Sequence, residues 1–326
     1  MRTNYGIILK ILFVLLPIML ISFALIPIVD VSFKPNHLCD VQVAFYNGAG
    51  AGPYGFGAMT HFFNWAGCLI TNVTGQDIID GCLENFDILC WPGGHYPAFW
   101  DEMGLAGKTA VQDFVHNGGG YLGICAGAYY ACDYIVWMDD PAYPSPDYKV
   151  EGDELNLDLC EAVAWGPIFE IVPRPEPGYD MTQIDIVNHT HPITDNLPDH
   201  MQIFYAGGPY FVPYVDADIS ILGVYNENNT NAIVACNYGN GRVFLIGPHA
   251  EIEEDSYRDG WEPLPDLSDE GSDWPLLYNA VEWLSFQSIN NSTTNNSTAV
   301  PFYFPLLILC ITVYFFKKRK TACTRK

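Results

Sequence analysis

The sequence predicts an α/β domain, built on a parallel sheet with helices on both faces. Short apolar runs of strand length alternate with helix-like segments over residues 41–124, and this order favours parallel strands joined by crossover helices. Glycine-rich turns follow several of the apolar runs. The 326 residues are 49% hydrophobic, which is enough for one sizeable core together with membrane segments.

The elements can be placed in order from their periodicity and their turn residues. In the first half we expect strands at 41–46, 68–71, 87–91 and 120–124, and helices at 58–66, 76–84 and 106–117. In the second half we expect strands at 184–187, 202–205, 221–225 and 232–236, a tight hairpin at 237–241 and a closing helix at 273–286. The proline-rich, acidic segment 139–177 predicts an insertion that borders or covers a site, although an ordinary surface excursion has the same composition.

The glycine-rich loop after the first strand, residues 47–53, is not typical of a nucleotide site. It lacks the spacing of a dinucleotide fingerprint, and Pro53 interrupts it. The sequence also lacks the paired Cys-x-x-Cys or His-x-x-x-His spacing of a structural zinc site. We therefore expect no cofactor and no metal.

The run Gly120-Tyr121-Leu122-Gly123-Ile124-Cys125-Ala126-Gly127-Ala128 is the most informative stretch for function. A short apolar strand leads into one cysteine, and small residues follow it before a helix-like segment, which is typical of a nucleophile held at a strand-to-helix turn. The start of a helix favours the thiolate form. Buried cysteines are also common in cores, so this stretch alone leaves a catalytic and a packing role open.

Two further stretches favour the catalytic interpretation. Pro92-Gly93-Gly94 follows an apolar strand, and its backbone N–H groups, with that of Ala126, are candidates for an oxyanion hole. His249 and Glu251 follow a later strand, where a histidine can deprotonate the thiol and a carboxylate can fix its tautomer. A tight turn and a surface histidine are the alternatives at these two places.

Along the chain, the Pro-Gly-Gly loop comes first, then the cysteine turn, and then the His-x-Glu pair. This succession resembles the class I glutamine amidotransferase-like superfamily. One branch of this superfamily is resembled most by the sequence around the cysteine. Two later stretches also fit that branch: Ala164-Trp165-Gly166-Pro167-Ile168 and Ala206-Gly207-Gly208-Pro209. That branch is the amidotransferase-like domain named after the N-terminal part of certain biotin-protein ligases. The resemblance covers residues 40–286 approximately, and it implies a flavodoxin-like, doubly wound parallel sheet.

Carried over by position, the resemblance implies Cys125 as nucleophile, His249 as base and Glu251 as the group that orients it. One departure is that Ala250 separates the pair, where amidotransferases usually have His-Pro-Glu. No biotin-ligase catalytic domain and no ammonia-accepting domain follows residue 285 in this sequence, so we expect neither ligase activity nor ammonia channelling.

The charge of the chain is strongly and unevenly negative. The formal net charge is −24, and all 38 acidic residues lie between Asp30 and Glu282, whereas only six of the 14 basic residues lie between Lys34 and Arg258. This balance excludes a nucleic-acid partner, since phosphate contacts require Lys and Arg. An acidic surface suits an exterior location, and a solvated surface without functional meaning explains it equally well.

Two apolar runs predict membrane segments. Residues 11–29 carry no charge and follow Arg2 and Lys10, an order that a membrane anchor and a signal peptide share. The length of the apolar run, and the lack of a clear small-x-small cleavage site near Pro27 to Pro35, favour an uncleaved anchor. The run 299–316 is followed by a basic tail, 317–326, which is a stop-transfer pattern with a cytoplasmic end. The expected organisation is an anchor at 1–30, the α/β domain at 31–288 on the extracytoplasmic side of the cell membrane, a polar stalk at 289–298, the second helix and the tail.

Glycosylation sequons and cysteines agree with an exterior domain. Asn-x-Ser/Thr sequons, which make the protein a candidate glycoprotein, start at Asn72, Asn188, Asn228, Asn290, Asn291, Asn295 and Asn296. Eight of the ten cysteines lie in the predicted domain. An oxidising exterior would allow some of them to pair, and Cys68 with Cys82 or with Cys39 are the candidate pairs.

Two functions are compatible with these residues. The first is a membrane-anchored thiol hydrolase, in which Cys125 attacks a small amide or peptide-like substrate. The second is a binding or sensor module that keeps the pocket of the same fold without turnover. Glutaminase activity ranks below both, because ammonia released outside the membrane would diffuse away.

Overall fold

The computed structural model describes residues 38–138, 148–151, 154–172, 178–253, 257–261, 267 and 271–294. Contacts divide the chain into Met1–Gln287 and Ser288–Lys326. The fold belongs to the first of these units.

Strands and helices alternate through the first half of the domain, as the sequence predicts. The elements are β1 Gln42–Tyr46, α1 Pro53–Ala66, β2 Leu69–Val73, α2 Gly75–Ile79, a 3-10 helix Cys82–Asn85, β3 Ile88–Trp91, α3 Tyr96–His116, β4 Gly120–Ile124 and α4 Ala126–Ala131. The second half is dominated by strands: β5 Cys132–Met138, β6 Tyr148–Glu151, β7 Cys160–Gly166, β8 Asp180–Ile186, β9 His200–Tyr205, β10 Tyr210–Pro213, β11 Ile219–Tyr225, β12 Asn231–Tyr238, β13 Gly241–Ile246, and then helix α5 Trp274–Thr294.

The strands form one mixed sheet, which corrects the expected doubly wound parallel sheet. Five neighbouring strands, in the order β2-β1-β3-β4-β13, are parallel to one another, and this is the order of a flavodoxin-like sheet. Beyond β13 the strands β12, β10 and β7 pair antiparallel. The difference arises because short turns join many strands of the second half, and a parallel pair requires a long crossover connection.

The parallel strands are buried on both faces. In β1, Val43 and Phe45 pack with one apolar cluster, while Ala44 and Tyr46 pack with the other, as the two-residue period of a strand requires. Helices α1 and α5 cover the first face, and the rings of Phe62 and Trp274 meet there at 5.8 Å. Helix α3 covers the second face.

Because β3, β4 and β13 are adjacent and parallel, their carboxyl ends lie at the same edge of the sheet. The loops that follow these three strands carry the three motifs singled out in the sequence. Ligands of open α/β sheets bind at this edge.

Helix boundaries differ from the expected ones where proline and glycine decide them. Helix α1 starts at Pro53, since proline suits the first turn of a helix. Gly81, at φ 91°, separates α2 from the 3-10 helix within the predicted helix 76–84. Helix α3 starts ten residues before its expected start and is interrupted at Gly104, where φ is 50° and ψ is −164°.

The acidic segment 139–177 is not wholly an excursion from the domain. Its strand β7 pairs with β10 and with β5 inside the sheet, and Cys160, Ala162 and Ala164 alternate into the core. The remaining parts of the segment, residues 139–147, 152–153 and 173–177, lie outside the described residues. The expectation that the segment covers a site therefore stays a prediction.

Among the described residues no helix is both long and apolar enough to cross a membrane. The two apolar runs at 11–29 and 299–316 lie outside that part of the chain, as does the basic tail. Helix α5 continues to Thr294 and so includes the first residues of the segment expected to be a stalk.

The eight cysteines of the described domain are all free thiols. Cys39 is exposed and Cys68 is buried. Burial, and the neighbouring Cys39, raise the pKa of the Cys68 thiol to about 12.

Candidate active site

Cys125 lies at a sharp turn between β4 and α4. Its backbone has φ 50° and ψ −108°, a region that residues other than glycine seldom occupy and that costs about 1–3 kcal/mol. The carbonyl of Cys125 accepts from the N–H groups of Ala128 and Tyr129, both at 3.0 Å. Such strain at a strand-to-helix turn is a feature of a nucleophile elbow.

The small residues beside the cysteine are required by the packing of this turn. A Cβ atom added at Gly127 would lie 2.3 Å from the carbonyl oxygen of Trp91, and one added at Gly123 would lie 2.8 Å from that of Gly127. Gly127 therefore lets helix α4 approach strand β3, and Gly123 lets strand β4 approach the same helix.

His249 and Glu251 follow the end of β13 and contact each other. His249 Nδ1 lies 2.8 Å from Glu251 Oε1. The backbone N–H of His249 donates to the carbonyl of Phe204 at 2.7 Å, and the indole N–H of Trp274 donates to the carbonyl of Glu251 at 3.1 Å. These bonds fix the loop from both sides of the histidine.

The imidazole of His249 also lies beside Cys125: both residues line one cavity, and a Cβ atom added at Gly93 would contact both. Since Nδ1 faces Glu251, Nε2 is the ring nitrogen left for the thiol. The structure thus brings together the three residues that the sequence singled out, in the order thiol, imidazole and carboxylate.

Burial and charge act in opposite directions on His249. Burial alone lowers the pKa of its imidazole, but the adjacent Glu251 and Cys125 outweigh burial and raise the pKa well above its ordinary value. Glu251 is fully buried, and among the described residues its second oxygen, Oε2, has no hydrogen-bond partner. A buried carboxylate with one partner strongly favours the charged imidazolium.

Gly93 and Gly94 border the thiol from the neighbouring strand. A Cβ atom at Gly93 would lie 2.8 Å from His249 Cε1 and 3.4 Å from Cys125 Cβ. The carbonyl of Gly93 accepts from Gly52 N–H at 2.8 Å, which ties this loop to the one after β1. Within the described part of the chain, the N–H groups of Gly93 and Gly94 donate to no backbone carbonyl.

A cavity of about 510 Å³ opens beside Cys125 and His249, a size typical of small-molecule sites. Gly93 and Gly94 line it, whereas Ala126 is buried and is not among its lining residues. Four aromatic side chains and two carboxylates complete the lining that matters chemically: Tyr54, Tyr179, Phe204, Trp261, Glu253 and Asp259.

The sequence did not single out these aromatic and acidic residues. They come from four separate segments, and only the folded chain brings them to one cavity. One signal was present: Gly208 belongs to a motif noted in the sequence, and a Cβ atom there would lie 1.9 Å from the carbonyl oxygen of Gly247. This close approach places the end of β9, with Phe204, against the histidine loop.

No cluster of three or more His, Cys, Asp or Glu side chains suited to a metal ion occurs among the described residues.

The described sequons are accessible to different degrees. Asn72 is exposed on strand β2, and Asn188 and Asn228 are partly exposed. In the latter two, the Asn Oδ1 accepts from the hydroxyl of the sequon threonine, Thr190 at 2.8 Å and Thr230 at 2.6 Å. The side chains of Asn290 and Asn291 are not described, and Asn295 and Asn296 lie beyond the described residues.

Residues 70–265 match a family model described as the N-terminal region of biotin-protein ligase. A biotin–protein ligase of Schizosaccharomyces pombe is 27% identical over 197 residues, which are 58% of this chain and 28% of that protein. An uncharacterized protein of Chlamydia muridarum is 26% identical over 187 residues, 56% of this chain and 68% of that protein. The chain therefore spans little more than a quarter of the length of the S. pombe ligase.

Two solved structures are similar to the chain at low identity. A glutamine amidotransferase from Thermotoga maritima is 14% identical, with a TM-score of 0.46 over 77% of this chain and 99% of that chain. A cytoplasmic protein from Salmonella typhimurium is 13% identical, with a TM-score of 0.45 over 75% of this chain and 99% of that one.

Proposed function

The chain belongs to the biotin-protein ligase N-terminal domain family, an amidotransferase-like branch, and from this membership we propose that it is a cysteine-dependent hydrolase of an amide or peptide-like bond. Cys125 is the nucleophile, His249 transfers the protons and Glu251 orients His249. One arrangement carries the proposal: Cys125 and His249 line the same cavity, and a buried carboxylate contacts His249 Nδ1 at 2.8 Å.

The reaction divides into two steps. His249 takes the thiol proton, and the Cys125 sulfur attacks the carbonyl carbon of the substrate. His249 then gives the proton to the leaving nitrogen, the C–N bond breaks, and an amine leaves a thioester on Cys125. Water, deprotonated by His249, attacks the thioester, and the returning proton regenerates the thiol as the carboxylic acid departs.

The negative oxygen of each tetrahedral intermediate needs hydrogen-bond donors that are already in place. Gly93 and Gly94 are suited to this role, because they line the cavity next to the thiol. We assign the N–H of Ala126, the residue after the nucleophile, as the third donor, as in other nucleophile elbows.

The test compares the thiols of one protein. Full-length protein is treated with a limiting amount of iodoacetamide, and alkylation of each cysteine is followed by peptide mass spectrometry. We expect Cys125 to react faster than Cys160 and Cys236, which are also buried. Hydrolysis of a fluorogenic aryl amide should fall by about 1,000-fold or more in Cys125→Ala and be unchanged in Cys39→Ala, an exposed cysteine outside the cavity.

A Cys125 that is no more reactive than Cys160 or Cys236 would contradict the proposal. Turnover that survives in Cys125→Ala would contradict it as well. Thermal stabilisation by an amide ligand without any turnover would instead favour the binding module.

We also propose that the domain lies outside the cell membrane, anchored by the runs at 11–29 and 299–316. Protease added to sealed cells should digest the domain and leave an epitope on the basic tail intact. Endoglycosidase should shift the mass of protein made in a glycosylating host, with a smaller shift in Asn228→Gln. A domain that is protected from protease in intact cells would contradict this location.

A further inference from the structure

The cavity beside Cys125 has an aromatic wall, formed by Tyr54, Tyr179, Phe204 and Trp261. The rings of Tyr54 and Trp261 lie 4.3 Å apart, and those of Tyr179 and Phe204 lie 5.5 Å apart. Phe204 meets His249 edge to face at 6.0 Å. The Tyr179–Phe204 pair therefore reaches the imidazole of His249.

The wall is held in place by backbone and carboxylate contacts. The indole N–H of Trp261 donates to the carbonyl of Tyr54 at 3.3 Å. Asp259, which is 1% exposed, accepts from the N–H of Trp261 at 2.9 Å and from that of Glu253 at 3.0 Å. An apolar surface fixed in this way binds a flat group without the entropy cost of ordering its side chains on binding.

Apart from His249, whose imidazole takes part in the proposed chemistry, the charged residues that line the described part of the cavity are acidic and do not suit an anionic substrate. Among the described lining residues there is no Lys or Arg, and the two acidic ones are Glu253 and Asp259. A free carboxylate, such as that of an amino acid, is normally recognised by a cation or a bidentate donor. The guanidinium of Arg258, in the segment that carries Asp259 and Trp261, lies over the ring of Trp274 and pairs with Glu253.

The two carboxylates also do not present a cation site. Glu253 accepts from Ser272 Oγ at 2.7 Å and from the N–H of Asp273 at 3.2 Å, besides its pairing with Arg258. Asp259 accepts from two backbone N–H groups. Their hydrogen bonds shape the wall of the cavity.

We infer that the substrate is an amide whose acyl group is neutral, bulky and flat, of aromatic size, and not glutamine. Aromatic pairs prefer the stacked and edge-to-face contacts that this wall offers. The inference rests on the proposed function, because it names the substrate class of the same site.

The first experiment measures alkylation of Cys125 by three chloromethyl ketones that share the reactive group. Their tails are phenylethyl, a propyl chain ending in a carboxylate, and a propyl chain ending in an ammonium group. We expect the phenylethyl reagent to react at least about 10-fold faster than either charged one, from the apolar area that the ring buries. Equal rates, or a faster charged reagent, would overturn the inference.

Single substitutions in the aromatic wall test whether the wall causes the preference for the phenylethyl reagent. Trp261→Ala and Tyr54→Ala should each reduce the advantage of the phenylethyl reagent to about 3-fold or less. Tyr257→Ala is the matched control: this tyrosine belongs to the same loop, is 71% exposed and does not line the cavity. An undiminished preference in Trp261→Ala and Tyr54→Ala would overturn the assignment of the wall.

A binding measurement separates this inference from the proposed chemistry. In Cys125→Ala, phenylpropionamide should raise the melting temperature, and glutamine at the same concentration should leave it unchanged. If glutamine stabilises this variant and phenylpropionamide does not, the substrate class is wrong even where Cys125 proves to be a nucleophile. If the thiol is unreactive but the amide preference holds, the chemistry fails and the substrate class stands.

Discussion

His249 Nδ1 and Glu251 Oε1 lie 2.8 Å apart, with the carboxylate fully buried and the imidazole almost so. Because the other carboxylate oxygen has no partner among the described residues, Glu251 interacts chiefly with this one ring. The pair therefore fixes the ring nitrogen that faces Cys125 and favours the imidazolium. A carboxylate behind a histidine has the same consequence in serine and cysteine hydrolases.

Replacing Glu251 with glutamine should impair catalysis without removing the side chain. The amide keeps the shape but loses the charge that stabilises the imidazolium, so we expect kcat/KM for the aryl amide to fall by about 100-fold. The matched control is Glu253→Gln, two residues further along the chain, where we expect a smaller loss. An unchanged kcat/KM in Glu251→Gln would show that the carboxylate does not orient the histidine.

The charge of His249 can be measured directly by NMR titration of the histidine rings. We expect His249 to remain protonated at a pH where His191 is neutral, since burial and then Arg242 lower the pKa of His191. Both Cys125→Ala and Glu251→Gln should lower the pKa of His249. A raised pKa stabilises the fold below the unfolded value of about 6.5, and this stability is lost as the pH rises through the folded-state pKa. A His249 that titrates with or below His191 would contradict this electrostatic picture.

Asp133 lies near a second, acidic pocket, which Asp158 and Glu161 also line. Burial first, and then these two carboxylates, raise the pKa of Asp133 to about 6. In the unfolded chain the pKa of an aspartate is about 4. The native state holds the Asp133 proton more tightly, so its contribution to stability is fully present below about pH 4 and is lost as the pH rises through about 6.

Asp133→Asn should therefore stabilise the protein at about pH 8 by about 1 kcal/mol, after allowance for solvent screening, and have little effect at about pH 4. Urea denaturation at the two pH values measures the difference in the free energy of unfolding. Equal effects at both would show that Asp133 titrates normally in the fold.

Gly127 tests the geometry of the cysteine turn. The methyl group of Gly127→Ala would lie 2.3 Å from the Trp91 carbonyl oxygen, so we expect a loss of about 3 kcal/mol in the free energy of unfolding. Gly57→Ala is the control, because its nearest neighbour would be at 3.7 Å and the residue lies in helix α1. We expect it to gain about 0.5–1 kcal/mol. A Gly127→Ala variant as stable as the wild type would contradict the close packing of β3 and α4.

The sequence was sufficient to predict the parallel half of the sheet and the family. Strands 41–46 and 87–91 were expected within two residues of their observed ends, since buried parallel strands are continuous apolar runs between clear turns. The match of residues 70–265 confirms the resemblance that the cysteine and histidine motifs carried. Cys125, His249 and Glu251 are adjacent because consecutive parallel strands end at one edge.

Local patterns predicted the hairpin between β12 and β13, but they did not predict strand β7 or the cavity wall. Strand β7 lies in an acidic segment, and its partners β10 and β5 are distant along the chain. Tyr54 and Trp261 are more than 200 residues apart, yet their rings lie 4.3 Å apart. Such contacts depend on tertiary packing, which single-sequence periodicity does not encode.

The most direct test of the account is to trap the covalent intermediate. The phenylpropionyl ester of a fluorescent phenol, mixed briefly with the full-length protein and quenched in acid, should add one phenylpropionyl group, and peptide mapping should place it as a thioester on Cys125. His249→Ala should prevent its formation. An acyl group on a different cysteine, or none in the wild-type protein while ester is consumed, would contradict the assignment of Cys125 as the nucleophile.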